Sequence, residues 1–103
     1  MKTEVANLHH EYPKHVRDLV ARKVQHLVRY FDGTVSMRAV LGRSHDEHRA
    51  ELVASVRRGV VLVVDARSTT IQAAIDDAVE RMGRVLTRHK NKLKRGGRRR
   101  ARR

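Results

Sequence analysis

The sequence predicts an α+β domain of order βαβββα, a two-layer sandwich in which two helices pack on one face of a four-stranded sheet. Three observations carry this. Apolar residues recur at helical spacing over 13–31 and again over 71–93, the stretch between them alternates apolar and polar residues, and Asp32-Gly33 and Arg58-Gly59 supply turn chemistry where the pattern changes. Helices with one apolar stripe and strands with one apolar face bury both by stacking helix on sheet, which gives an antiparallel-rich sheet with both helices on the same side.

The elements follow in order. Lys2–Leu8 alternates weakly and is expected as a first strand. From Pro13, the positions Val16, Val20, Val24, Leu27 and Phe31, flanked by Leu19 and Val28, lie on one helical face, with Arg17, Arg22, Lys23, His26 and Arg29 opposite. Pro13 suits the first turn, where a missing N–H costs nothing. Helix 1 is therefore expected over 13–31, closed by Asp32-Gly33. Val35, Met37, Ala39 and Leu41 then alternate with polar residues, as do Ala50, Leu52, Ala54 and Val56, so two half-buried strands are joined by the polar loop Gly42–Glu47. Arg58-Gly59 turns the chain into a further strand over Val60–Ala66.

Ser68-Thr69-Thr70 opens the second helix, with Thr69 and Gln72 spaced as a capping box. Its apolar stripe is Ile71, Ala74, Ile75, Ala78, Met82, Val85, Leu86 and Leu93, interrupted by Gly83, a mild blemish for a helix interior. Asp76, Asp77 and Glu80 come early and Arg84, Arg88, Lys90, Lys92 and Lys94 late, matching the helix macrodipole at both ends. Residues 1–94 form the expected domain. Arg95–Arg103 is a Gly/Arg tail with nothing to bury, expected to be disordered in the free protein. No repeat or second domain is evident.

A chain of 103 residues buries about 60 to 65% of its unfolded surface, enough for one modest core. That core is aliphatic, since Tyr12, Tyr30 and Phe31 are the only aromatics. Twenty-four Lys and Arg against eleven Asp and Glu leave a net charge of +13, which points to a polyanionic partner. The excess is concentrated late: residues 1–67 hold 12 basic and 8 acidic side chains, residues 68–103 hold 12 and 3, and no acid follows Glu80. The absence of cysteine excludes disulfides and thiolate metal sites. The longest apolar run, Val60 to Val64, is far below the roughly 18 to 20 residues of a membrane span, and Met1–Pro13 has no signal-peptide character. A cytoplasmic protein that neither spans a membrane nor is exported is expected.

Little here resembles catalysis. Seven histidines raise the question of a metal, but His9-His10 and His45-x-x-His48 lack the partner motifs that fix ligand geometry. Exposed or RNA-contacting histidines are the reading adopted. No Gly-rich phosphate loop follows a strand and no nucleophile has an adjacent base, so neither an enzyme nor a cofactor nor a small-molecule substrate is expected. The informative feature is the basic face of helix 2, where Arg81, Arg84, Arg88 and Lys92 recur at helical spacing as a rail able to follow a phosphate backbone. A solvated face that only maintains solubility is the alternative; the missing acids over 81–103 favour phosphate binding. A membrane-lying or calmodulin-binding helix is disfavoured because the domain needs that helix's apolar stripe for its own core. With so few aromatics there is no stacking platform of the kind single-strand readers use, so recognition is expected to rest on the shape of a folded RNA.

Specific residues also resemble a known family. Val16-Arg17-Asp18 and Lys23 to Asp32, ending in Arg29-Tyr30-Phe31-Asp32, resemble the first-helix pattern of the ribosome hibernation promoting factor and ribosome-associated inhibitor family, also grouped as sigma-54 modulation proteins. His48-Arg49-Ala50-Glu51 is similar to its strand motif, and Ala73-Ala74-Ile75-Asp76 with Arg81-Met82, Arg84, Leu86 and Arg88-His89-Lys90-x-Lys92-Leu93 to its second helix. The match runs in unbroken order over about Val16–Lys94. The family's usual Gly and Thr before helix 1 are replaced by Asn7-Leu8-His9-His10-Glu11-Tyr12-Pro13.

The resemblance implies the same βαβββα fold and a non-enzymatic protein that binds the small ribosomal subunit and its rRNA. Members lodge between head and body across the mRNA channel and the A- and P-site tRNA positions, inhibiting translation under stress. It implies rRNA-binding roles for Lys23, Arg81, Arg84, Arg88, Lys90 and Lys92. Long members carry a second, dimerising domain, and this chain is expected to be a short form, monomeric when free. The rival readings are a general RNA- or DNA-binding protein, either RNA chaperone or nucleoid-associated, and, far behind, a histidine-based enzyme or metal protein. No residue pattern supports a direct polymerase contact.

Overall fold

The computed structural model describes residues 1–8 and 11–101, and within these the side chains of all but Leu8 and 95–101. The expected order holds: β1 (Lys2–Leu8), α1 (Lys14–Gln25), β2 (Thr34–Ser44), β3 (Glu47–Val56), β4 (Val60–Ser68) and α2 (Ile71–Ala101). The sheet order is β1-β2-β3-β4, with β1 parallel to β2 and the other two pairings antiparallel. A parallel pair needs a crossover, which α1 supplies. α1 packs on β1 and β2, and α2 on β3 and β4.

The core lies between that helical layer and one face of the sheet. Met37, Ala39 and Leu41 of β2, Ala50, Leu52, Ala54 and Val56 of β3, and Ala66 of β4 are buried against Val20, Val24, Leu27 and Phe31 from the first helical segment and Ala74, Ile75, Ala78, Met82 and Leu86 from α2. Burying each large side chain contributes about 1.5–3 kcal/mol, and the alanines let helix and sheet approach closely. Tyr12 completes the core at 4% exposure, an apolar burial that periodicity does not reveal.

Several expected boundaries shift for local reasons. Pro13 is the extended residue that caps α1 rather than a member of its first turn, and the helix tightens to a 3₁₀ turn over His26–Tyr30 instead of running unbroken to 31. Gly33 serves close approach: a Cβ there would stand 2.3 Å from the Phe31 ring. Between Thr34 and Ser36 a register shift inverts the expected alternation, burying Thr34 and leaving Val35 58% exposed. The Thr34 hydroxyl then donates to the Phe31 carbonyl at 2.8 Å, which satisfies it inside. The β2–β3 loop is shorter than Gly42–Glu47: Ser44 pairs with Glu47, leaving His45-Asp46 as a two-residue turn with His45 in the left-handed region.

The cap of α2 is Thr70, whose hydroxyl accepts from the Ala73 N–H at 3.1 Å; the Thr69–Gln72 box is not used. At its other end α2 continues to Ala101, past the end expected at Lys94 and through Gly96-Gly97, because extending a helix already nucleated on the sheet adds one hydrogen bond for each residue fixed. Leu93, assigned to the buried stripe, lies 43% exposed.

Candidate nucleic-acid interface

α2 runs beside α1 in the same direction, since Lys23 meets Asp76, Tyr30 meets Gly83 and Phe31 meets His89 in ascending order along both. The helical layer therefore presents α2's outward side along the length of the domain. Arg81, Arg84, Arg88 and Lys92 are all exposed there, as their i, i+3, i+7, i+11 spacing requires.

The four cations differ in their commitments. Arg81 donates to the Asp77 carboxylate at 3.1 Å and to the Asp65 backbone carbonyl on edge strand β4 at 3.0 Å, so it fastens α2 to the sheet. Arg84 pairs with Glu80 at 3.1 Å. Arg88 and Lys92 stand beyond the last acid of the sequence and have no ion-pair partner among the described residues. The rail thus grades from internally anchored cations at Arg81 to fully available ones at Arg88 and Lys92.

The two remaining site residues lie elsewhere. Lys23 reaches across from α1 to the Asp76 carboxylate, an ion pair with both partners partly exposed that ties the helices together. Lys90 is half-buried and lies about 200° around the helix from Arg88, on the side continuing the Met82–Leu86 stripe. The structure brings together Arg81, Arg84, Arg88 and Lys92, and not Lys23 or Lys90.

Arg84 and Arg88 form the ridge between two open grooves. One, toward β4, is bounded by Val64, Asp65 and Asp77. The other, of about 530 Å³, lies between α2 and the 3₁₀ turn and is lined by Tyr30, Gly83, Arg84, Thr87, Arg88 and Asn91, with Glu80 at its edge. Gly83, a blemish in the sequence, faces the Tyr30 ring, and a Cβ there would make ordinary van der Waals contact with it at 3.4 Å.

A second polar arrangement, invisible to spacing arguments, joins the β1–α1 junction to the β2–β3 hairpin. The Tyr12 hydroxyl donates to the Gly42 carbonyl at 3.0 Å and lies 2.6 Å from His48 Nδ1. With the hydroxyl proton directed to the carbonyl, Nδ1–H of His48 is the donor to the phenol oxygen. Burial raises the Tyr12 hydroxyl above its ordinary value, partly opposed by the positive charge of Arg43. Among the described residues no three His, Asp or Glu side chains converge as a metal site would require, and His9-His10 lies outside the described residues.

The opposite face of the sheet is organised differently. Arg38 faces Glu4 at 3.9 Å, Arg49 bridges Asp65 at 2.9 Å and Glu51 at 3.0 Å, and Arg67 faces Glu47 at 3.7 Å. Asp65 holds the Arg49 guanidinium more firmly protonated still.

Residues 4–94 match the family described as sigma 54 modulation protein / S30EA ribosomal protein, nearly the whole folded unit. The chain belongs to this family. Similar members include a ribosome hibernation promotion factor of Rhizobium meliloti, 30% identical over 91% of this chain and 50% of that protein. A ribosome hibernation promoting factor of Escherichia coli is 29% identical over 91% of this chain and 98% of its own length. The chain thus spans about half of the first relative and almost all of the second. Among solved structures, the Thermus thermophilus Protein Y N-terminal domain superposes with a TM-score of 0.77 at 29% identity, covering 86% of this chain and 99% of that one. A ribosomal subunit interface protein from Coxiella burnetii shares the fold, with a TM-score of 0.80 at 12% identity over 88% of this chain and 99% of that one.

Proposed function

We propose that this chain is a ribosome hibernation factor that binds the small ribosomal subunit at the decoding region, blocks mRNA and tRNA binding, and so inhibits translation under stress. The observation that carries the reading is the ridge of Arg81, Arg84, Arg88 and Lys92, held on a packed helix with no acid beyond Glu80. A preorganised row of cations meets phosphates with little further ordering, which favours a rigid RNA surface over a flexible one. The names of the relatives supply the ribosome as the RNA. Inhibition by occlusion is stoichiometric and leaves every substrate covalently unchanged, in keeping with a non-enzymatic protein acting as a monomer in the cytoplasm. Lys23 and Lys90 join the contact from the flanks, Lys23 by exchanging Asp76 for a phosphate. Residues 1–94 carry the binding, and 95–103 add charge.

The test is cosedimentation with intact small subunits, expected to saturate near one protein per subunit and to be competed by initiator tRNA and mRNA. Full simultaneous occupancy of the P site by tRNA and of the subunit by this protein would refute the position. Equal binding to bulk duplex DNA would favour the alternative, a general nucleic-acid-binding protein.

A further inference from the structure

Of the three aromatic side chains, Tyr12 and Phe31 are buried at 4% and 7%, whereas Tyr30 is 38% exposed at the edge of the basic ridge. Its ring is backed by the bare Gly83 backbone, so no flexible side chain lies beneath it. Over it stands the Arg29 guanidinium, 5.2 Å from the centroid. That guanidinium occupies the ring and reaches its hydroxyl at 3.4 Å, so an incoming base takes its place on the ring or stacks on its outer plane, a guanidinium plane being itself a surface on which bases stack.

We propose that the groove between Tyr30 and α2 is a subsite for one unstacked nucleotide of the bound RNA, its base on Tyr30 and Arg29 and its phosphate on Arg84 and Arg88. The proposal rests on the RNA-binding reading above and adds to it a point of direct base contact. At about 530 Å³ the groove falls within the range of clefts that hold small organic ligands, about 300–1,000 Å³. Its polar groups are distributed as a nucleotide needs. Arg84 and Arg88 line one wall, while the Asn91 amide both donates and accepts and suits a base edge. Among the described residues Glu80 is the one anion lining the groove; its pairing with Arg84 offsets its charge, and it directs the phosphate toward Arg88, which has no ion-pair partner among the described residues. A single stacked base also fits a protein with too few aromatics for a multi-base platform, since folded RNA exposes isolated bases in loops and bulges.

The experiment measures affinity for small ribosomal subunits, and separately for oligouridylate, across a salt series with wild type, Tyr30→Phe and Tyr30→Leu. Loss of one stacked base is expected to weaken Tyr30→Leu about 5- to 150-fold on both probes. Tyr30→Phe should stay near wild type, and the slope of log K against log salt should be unchanged because no phosphate contact is lost. Wild-type affinity in Tyr30→Leu, an equal loss in Tyr30→Phe, or a parallel fall in salt slope would each overturn the subsite. Failure of the wild-type chain to bind subunits overturns the ribosomal reading instead, and the oligouridylate series still decides the subsite.

Discussion

Neutralising the ridge one cation at a time separates its structural from its binding work. Each phosphate contact adds about 0.7–0.9 to the slope of log K against log salt, so removing three contacts lowers that slope by about 2.1–2.7. Across a fourfold rise in salt, wild type is then expected to lose up to about 20- to 40-fold more affinity than Arg81→Gln/Arg84→Gln/Arg88→Gln. The single variants should not share this equally. Arg88 has no ion-pair partner among the described residues, so Arg88→Gln removes one full contact. Arg81 already serves Asp77 and the Asp65 carbonyl, so Arg81→Gln changes the slope less and costs some stability. That cost is small, about 0.2–1 kcal/mol, because the Arg81 and Asp77 side chains are 52% and 40% exposed and solvent screens the pair. Reversal of all three to Glu is expected to leave the domain folded and to abolish inhibition. The assay is subunit cosedimentation over a salt series beside a thermal melt. An unchanged slope in the triple variant would refute the phosphate ridge.

Tyr12→Phe removes the donor to Gly42 and the contact with His48, and is expected to cost about 1–3 kcal/mol by denaturant melt. Because burial raises the folded-state value of Tyr12 above the ordinary 10.0, its stabilisation is complete below pH 10 and lost as pH climbs toward the raised value. The Phe variant should lack that part of the alkaline loss, and identical alkaline profiles would contradict a stabilising role for the buried Tyr12 hydroxyl. Gly33→Ala places a Cβ 2.3 Å from the Phe31 ring and should destabilise by about 1–3 kcal/mol. Gly83→Ala gains helix propensity with an ordinary contact to Tyr30, so its melt should rise or hold. Deleting 95–103 is expected to weaken ribosome binding while preserving the rRNA footprint; loss of the footprint would move recognition into that segment.

The fold was legible because its signals are local. Period two in Ala50–Val56 and the helical stripe from Ile71 to Leu86 are each determined within a few residues, and so is the ridge. Misread positions depend on contacts that spacing does not show, some of them with partners far away in the chain. Val35 looks like a core residue until the register shift against Val56 turns it outward. Gly33 looks like a turn glycine until the Phe31 ring is seen beneath it. Thr69 and Thr70 are equivalent as letters, and only the path of β4 selects the second as the cap. At the site, the pairs Arg81–Asp77 and Arg84–Glu80 follow from i,i+4 spacing, but Lys23–Asp76 spans the gap between two helices and leaves no pattern. Tyr12 left one trace, as an aromatic residue directly before Pro13, which spacing alone could not assign to the core.

The matched pairs on the open face of the sheet have a consequence for how the molecule arrives. Arg38, Arg49 and Arg67 are each countered by a carboxylate, so beyond the roughly 8 Å over which salt lets a charge be felt that side is nearly silent to a polyanion. The uncompensated charges at Arg88 and Lys92 lie on the other side and remain audible. A freely tumbling molecule nearing an RNA surface therefore experiences a torque before any contact, turning its helices inward and its sheet outward. Collisions in the wrong orientation become rarer, and a larger fraction of encounters begin in the pose that can dock.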